Sequence, residues 1–195
     1  NPTFNNPEVN VTSISPDTED NTTYAIVTEL NVDTNYYWKV AANDSTEYGA
    51  WSNTSNFTVF SYLLITLTTD TVAFGSTATN ESNDTTDNSP FPFTAVNNGN
   101  IMANVTITAT SYFSSATFPS NAYQFKIRAN ESSSFNSAGS NMTFINMTNS
   151  YTGYHVDNLD WRDVNDDFLV DLNITVPISE PPGAKSSTIT FTIEG

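Results

Sequence analysis

Residues 168–176 read Phe-Leu-Val-Asp-Leu-Asn-Ile-Thr-Val, and this stretch decides the fold class. Its apolar residues recur at every second position, whereas Asp171, Asn173 and Thr175 occupy alternate positions. Side chains of a β-strand point alternately to opposite faces, so the pattern predicts a strand with one buried and one solvated face. Residues 188–193, Thr-Ile-Thr-Phe-Thr-Ile, repeat the alternation near the end of the sequence.

Apolar residues follow the same period of two along most of the chain, and no stretch shows a sustained helical period. Residues 97–100, Asn-Asn-Gly-Asn, separate two alternating runs and predict the turn of a β-hairpin, because Asn-Gly tolerates positive φ. Residues 77–90 have no apolar periodicity and predict a mobile loop. We therefore expect an all-β protein.

Length and composition favour two domains over one. The chain has 195 residues, and its apolar share of 37% is low for a single compact core. A first part rich in Trp and Tyr gives way near Ser61 to a longer part rich in Thr and Asn. We predict two β-sandwich domains in tandem, at residues 1–61 and 62–195, of which the first is incomplete.

Charge and cysteine content exclude several classes of function. The formal net charge is −16, and five Lys and Arg residues are too few to neutralise a nucleic-acid backbone. Without cysteine the chain has no disulfide framework and no thiolate metal site. No apolar run reaches the roughly 18 residues of a membrane-spanning helix. The sequence begins at Asn1 without a methionine or a signal segment, so we expect a processed form or a fragment of a longer protein.

Residues 30–42 read Leu-Asn-Val-Asp-Thr-Asn-Tyr-Tyr-Trp-Lys-Val-Ala-Ala. Over residues 21–60 the sequence resembles the second half of a fibronectin type III domain, an immunoglobulin-like sandwich. Leu30, Thr34 and Tyr36 match the leucine, the threonine and the corner tyrosine of that family, although Val32-Asp33 replaces its usual Pro-Gly. The resemblance implies that the Tyr36 hydroxyl bonds to upstream backbone and that Tyr36 and Trp38 are core residues, with Trp51 as a cap.

A sandwich of this type needs about 100 residues, yet only about 20 precede the matched strands. Two explanations stay open. Either the sequence starts within a domain, or a neighbouring subunit supplies the missing strands by strand addition.

Residues 62–195 resemble, more loosely, β-sandwich domains of archaeal surface proteins and camelysin-like biofilm-fibre proteins. The features that carry this resemblance are a Val-Ala-Phe-Gly run at residues 72–75, the turn at 98–100, and the ending from Val176-Pro177 through a Pro-Pro-Gly turn to a Thr-rich strand. The resemblance implies an extracellular location at the cell surface.

Asn-x-Ser/Thr sequons for N-glycosylation are numerous. Composition alone would produce roughly seven of them, so their number indicates a glycoprotein without proving one. N-glycosylation without cysteine is typical of an archaeal surface protein more than of a disulfide-stapled eukaryotic ectodomain. The twelve sequon asparagines are Asn10, Asn21, Asn43, Asn53, Asn56, Asn80, Asn83, Asn104, Asn130, Asn141, Asn146 and Asn173.

An acidic segment around Trp161 is a candidate calcium site, because carboxylate and amide oxygens are the ligands that Ca²⁺ prefers. The candidate ligands are Asp160, Asp163, Asn165 and Asp167. The alternative is a solvated acidic turn that leads into the strand at Phe168. An EF-hand is excluded, since Phe168 stands where that loop needs a glycine.

Catalytic motifs are absent from the sequence: His155 is the only histidine, without a motif around it, and no serine lies in a Gly-x-Ser-x-Gly elbow. We predict a non-enzymatic structural subunit of an extracellular filament or surface layer, assembled from identical subunits, with no required cofactor. The alternative is a carbohydrate-binding or adhesive module of a larger secreted protein, with Trp51, Trp161 and Tyr36-Tyr37 as candidate sugar-stacking residues.

Overall fold

The computed structural model describes residues 30–41 and 46–195. All secondary-structure elements in this part of the chain are β-strands. The all-β prediction is therefore confirmed. Among the same residues there is no helix of the length and hydrophobicity needed to span a membrane. The strands are β1 (Thr34–Trp38), β2 (Ser55–Val59), β3 (Ile65–Thr69), β4 (Ser82–Asp84), β5 (Phe93–Asn97), β6 (Ala103–Ala109), β7 (Tyr123–Ala129), β8 (Ile145–Asn146), β9 (Val156–Leu159), β10 (Asp167–Thr175) and β11 (Ile189–Glu194).

The described residues fall into two units, of which the first ends at Ser61 and the second spans Tyr62–Gly195. In the first unit, β1 and β2 form a two-stranded antiparallel sheet. The second unit has a larger sheet in the order β3-β5-β10-β7-β8, with β4 also paired to β10, and a smaller sheet in the order β11-β6-β9. Two tandem sandwich domains, of which the first is incomplete, remain a prediction.

One hydrophobic core lies between the two sheets of the second unit, in a sandwich-like arrangement. β10 supplies Phe168 and Val170 from the larger sheet, and β6 supplies Val105 and Ile107 from the smaller one. The apolar positions of the alternating pattern in β10 are therefore buried, as predicted, whereas those of β11 are half-buried. Removal of this apolar area from water is the main contribution of such a core to stability.

The hairpin predicted at residues 97–100 is wrong. β5 pairs with β3 and β10 in the larger sheet, whereas β6 pairs with β11 and β9 in the smaller one. The fully buried Asn97 stabilises the turn through its side-chain amide. The nitrogen donates to the carbonyls of Ile101 (3.0 Å) and Leu159 (3.3 Å), and the oxygen accepts the Gly99 N–H (3.0 Å). The turn therefore passes the chain from one sheet to the other.

Two further sequence predictions change in the structure. Residues 77–90, predicted as a loop, contain β4, which pairs with the end of β10. Asp171, predicted to face solvent, is 0% exposed, because Thr85 and Arg128 cover it. The polar face of β10 is thus partly covered by chain that lies far away in sequence.

Candidate functional site

The β1–β2 sheet of the first unit carries an aromatic face. Tyr36 and Phe57 lie directly opposite each other in the antiparallel register, and their rings stack with centroids 5.7 Å apart. Trp38 lies two residues along β1 on the same face. Trp38 is 48% exposed and Phe57 is 43% exposed, so large apolar surface faces outward. We call Tyr36, Trp38 and Phe57 the aromatic face.

The exposure of Trp38 corrects the prediction that it is a core residue. A strand face is buried only when a second layer packs on it. Among residues 30–41 and 46–61, no further strand joins β1 and β2. Trp51, predicted as a cap, is also exposed, with Tyr48 stacked beside it and the Lys39 ammonium 4.4 Å from its ring centroid.

The opposite face of the same sheet is polar, apart from Tyr37. It carries Asn35, Asn56 and Thr58 from alternate strand positions. Asn56 is an exposed sequon asparagine, so a glycan attached there projects away from the aromatic face. The two faces of one small sheet therefore differ sharply in chemistry.

The Tyr36 hydroxyl accepts a hydrogen bond from the backbone N–H of Asn31, at 2.7 Å. The resemblance to fibronectin type III domains implies a contact of this kind between the corner tyrosine and upstream backbone. The bond between Asn31 and Tyr36 links the residues that precede β1 to the strand itself. Membership of that family stays a prediction.

Sequon asparagines in the described part of the chain lie on the surface to different degrees. Asn10, Asn21 and Asn43 fall outside the described residues. The exposed ones are Asn53, Asn56, Asn80, Asn130 and Asn146, and the half-buried ones are Asn83, Asn104, Asn141 and Asn173.

These asparagines also differ in which atom of the side-chain amide is hydrogen-bonded. The difference matters because a glycan attaches to the side-chain nitrogen. In Asn83 this nitrogen donates to the Phe74 carbonyl (3.4 Å), and in Asn130 it donates to Asp167 (2.6 Å). In Asn104 and Asn146 the amide oxygen is the bonded atom. It accepts from the Asn158 N–H (3.0 Å) and from Gln124 (3.1 Å) respectively. Asn173 donates to Gln124 (3.3 Å).

Two of the candidate calcium ligands bond to other side chains in the structure, and a third is exposed. Asp160 pairs with Arg162 (3.0 Å), Asp163 is exposed, and the Asn165 amide lies against the carbonyl of Ser132. Asp167 accepts from Asn130. Within the described residues, no three acidic or histidine side chains converge in a way that would hold a metal ion. A calcium site therefore stays a prediction of the sequence alone.

Near these residues, burial raises the pKa of the Asp166 carboxyl, and the negative charges of Glu131, Asp163 and Asp167 raise it further. The Asp166 backbone N–H donates to Glu131 at 2.9 Å, which brings the two acidic residues close. Carboxylates that repel one another in this way destabilise the ionised form. The arrangement is that of a crowded acidic turn.

Three buried polar residues, Asp171, Glu180 and His155, have hydrogen-bond partners that the sequence does not reveal. The Arg128 guanidinium contacts both oxygens of Asp171, at 2.9 and 3.1 Å. Glu180 accepts hydrogen bonds from the backbone and hydroxyl of Ser114 and Ser115 and forms an ion pair with Lys185 at 2.6 Å. Lys185 and the Ser115 hydroxyl hold the pKa of Glu180 well below its usual range.

His155 is the third of these groups, and it is 1% exposed. Its Nδ1 accepts the backbone N–H of Ile107 at 2.9 Å, in place of a strand carbonyl. Burial lowers the pKa of His155 to about 4, so the ring is neutral at pH 7 and keeps the lone pair that this bond requires. This histidine is part of the core.

Comparisons with known proteins identify no relative. No protein-family model, no curated protein and no solved structure matches the chain.

Proposed function

We propose that the protein is a structural subunit of an extracellular glycoprotein filament or surface layer, assembled head-to-tail by β-strand complementation between identical subunits. The observation that carries the proposal is the aromatic face of β1 and β2, with Trp38 and Phe57 both more than two-fifths exposed. Burial of one such side chain contributes about 1.5–3 kcal/mol. A partner that covers the aromatic face therefore gains several kcal/mol of binding free energy from burial of these rings.

The backbone of a two-stranded sheet favours the same mode of assembly. Within the described residues, β1 and β2 pair only with each other. The N–H and C=O groups at the edge of such a sheet readily pair with an added strand. A two-stranded hairpin alone is only marginally stable in water. A strand donated by the next subunit supplies both backbone hydrogen bonds and apolar cover.

The sequons support a surface location for the assembly. Asn56 lies on the face of the sheet opposite to Phe57, so a glycan there leaves the aromatic face accessible. Contacts between two different surfaces of identical subunits continue indefinitely unless a rotation closes a ring, and an open filament is the expected product.

The test compares two variants of the full chain, Phe57→Thr and Tyr37→Thr. Both remove an exposed aromatic ring from the same sheet, but from opposite faces. We expect Phe57→Thr to suppress polymers seen by negative-stain microscopy and light scattering, and Tyr37→Thr to leave them. Monodisperse wild-type protein, or equal polymerisation of both variants, would overturn the proposal.

A further inference from the structure

An open cleft lies on the outer face of the smaller sheet, away from the core. Its floor is formed by outward-facing threonines of β6 and β11, since Thr106 pairs with Thr192 in a register whose alternate residues, Val105 and Ile107, are buried. Its wall is the segment 150–154, which contains Tyr151 and Tyr154. The volume of the cleft is about 520 Å³.

The wall is held in place by three contacts with the sheet. The Thr106 hydroxyl donates to the Gly153 carbonyl at 2.7 Å, and the Tyr154 hydroxyl donates to Glu194 at 3.3 Å. The Tyr151 ring stacks on the buried His155, with centroids 4.0 Å apart and planes inclined by 26°. Two hydrogen bonds and one ring contact with the buried His155 therefore preorganise the cleft.

Gly153 permits this packing. Its φ is +134°, and a Cβ at this position would lie 3.3 Å from the Tyr151 ring. The backbone at Gly153 can therefore lie close to the Tyr151 ring, where a residue with a side chain would be strained. Tyr151 nevertheless remains 43% exposed and Tyr154 remains 40% exposed, so both rings offer surface to a ligand.

The chemistry of the lining selects one class of ligand. The lining side chains are hydroxyl groups, two tyrosine rings and one carboxylate, without lysine or arginine. Together with the net charge of −16, this disfavours an anion. A sugar ring has an apolar C–H face that stacks on an aromatic ring, and hydroxyls that both donate and accept. Thr108, Thr192 and Glu194 supply matching hydrogen-bond partners.

We infer that this cleft binds a neutral oligosaccharide, with one sugar ring stacked on Tyr151 and its hydroxyls bonded to the threonine floor and Glu194. An open cleft on a strand face suits an extended chain of several sugars better than a small compact molecule. The inference concerns the second unit alone and goes beyond the proposed assembly. Its test needs no polymer.

The probes are neutral hexasaccharides of glucose, mannose and N-acetylglucosamine, with a galacturonate hexasaccharide as the anionic comparison. They are titrated into the full chain, produced without glycans, and amide shifts are followed by ¹H–¹⁵N NMR. We expect one or more neutral hexasaccharides to shift residues 150–154 and Thr106 saturably. The galacturonate should have little effect. No shift of these residues with any neutral probe, or equal binding of galacturonate, would overturn the inference.

Two matched pairs of variants locate the site. Tyr151→Ala should weaken binding about tenfold or more through loss of the stacking surface, whereas Tyr62→Ala, at an exposed tyrosine outside the cleft, should not. Thr192→Val removes a floor hydroxyl with little change of shape and should weaken binding about threefold. Thr190→Val, on the same strand and face, should leave it unchanged.

If Tyr151→Ala disturbs the packing of His155 and fails to fold, the pair Thr192→Val and Thr190→Val still tests whether sugar binds in the cleft. Equal affinities within both pairs would place any sugar binding elsewhere and overturn the assignment. Polymer formation plays no part in these measurements, so failure of the cleft and failure of the assembly proposal are distinguishable.

Discussion

The rings of Tyr36 and Phe57 stack across β1 and β2, with centroids 5.7 Å apart and planes inclined by 23°. Because the two residues are directly opposed in the register, the pair lies on one face with Trp38, and the sequon asparagine Asn56 lies on the other. One small sheet therefore combines a surface suited to protein contact with a surface suited to a glycan.

The first prediction concerns the strand donor. We expect the N-terminal segment of one subunit to complete the sheet of the next, because an added strand would pair with an edge of β1 or β2. Deletion of residues 1–20 should then reduce the rate and extent of polymer formation, followed by light scattering. Undiminished polymerisation would exclude this segment as the donor and leave an edge of the second unit, such as β11, as the remaining candidate.

The second prediction concerns glycan occupancy. Several of the twelve sequons should carry glycans in native material, and Asn56 and Asn146 should be more fully occupied than Asn83. Asn83 is half-buried, and its side-chain nitrogen is bonded to the Phe74 carbonyl, whereas Asn56 and Asn146 are exposed. Mass spectrometry of proteolytic peptides measures each site. A protein mass equal to that of the bare chain, or the reverse order of occupancy, would contradict this expectation.

The third prediction concerns the buried carboxylate of Asp171. Arg128→Met removes two hydrogen bonds from a fully buried charge and should lower the free energy of unfolding by about 3 kcal/mol. Lys126→Met is the matched control. Its ammonium lies 3.9 Å from the same carboxylate, and the variant should lose less than about 1 kcal/mol. Urea denaturation measures both values, and equal losses would show that Arg128 has no special part in holding Asp171.

The fourth prediction concerns pH. Burial lowers the pKa of His155 from 6.5 to about 4, so the unfolded chain takes up a proton at a higher pH than the folded protein. The stability contributed by neutral His155 is therefore complete above about pH 6.5 and is lost as pH falls through 4, by about 3 kcal/mol in total.

His155→Gln is the test variant, since a glutamine oxygen also accepts a hydrogen bond from Ile107. His155 is the only histidine, so the slope of unfolding free energy between pH 7 and 5 reports mainly on this residue. We expect the variant to flatten that slope. An unchanged slope would mean that His155 is accessible to protons in the folded protein.

The sequence by itself determined the all-β class and most of the buried positions of the second unit. Alternation at residues 168–176 and 188–193 reports which side chains share a face, because the period of a strand is local geometry. The sequence also marks the sequons, whose residue types are fixed whatever the fold. In the first unit the alternation places Tyr36 and Trp38 on one face, but it does not reveal that the face is exposed.

Only the tertiary structure decided which strands pair and which faces are covered. Residues 97–100 have the composition of a hairpin turn, yet β5 and β6 enter different sheets, and the buried Asn97 amide between them bonds to Leu159, far away in sequence. Asp171 has the polarity of a solvent-facing residue, yet Arg128 and Thr85 bury it. The cleft on the outer face of the smaller sheet likewise forms only where β6, β11 and segment 150–154 come together. Such contacts join distant segments, and a local pattern of polarity does not encode them.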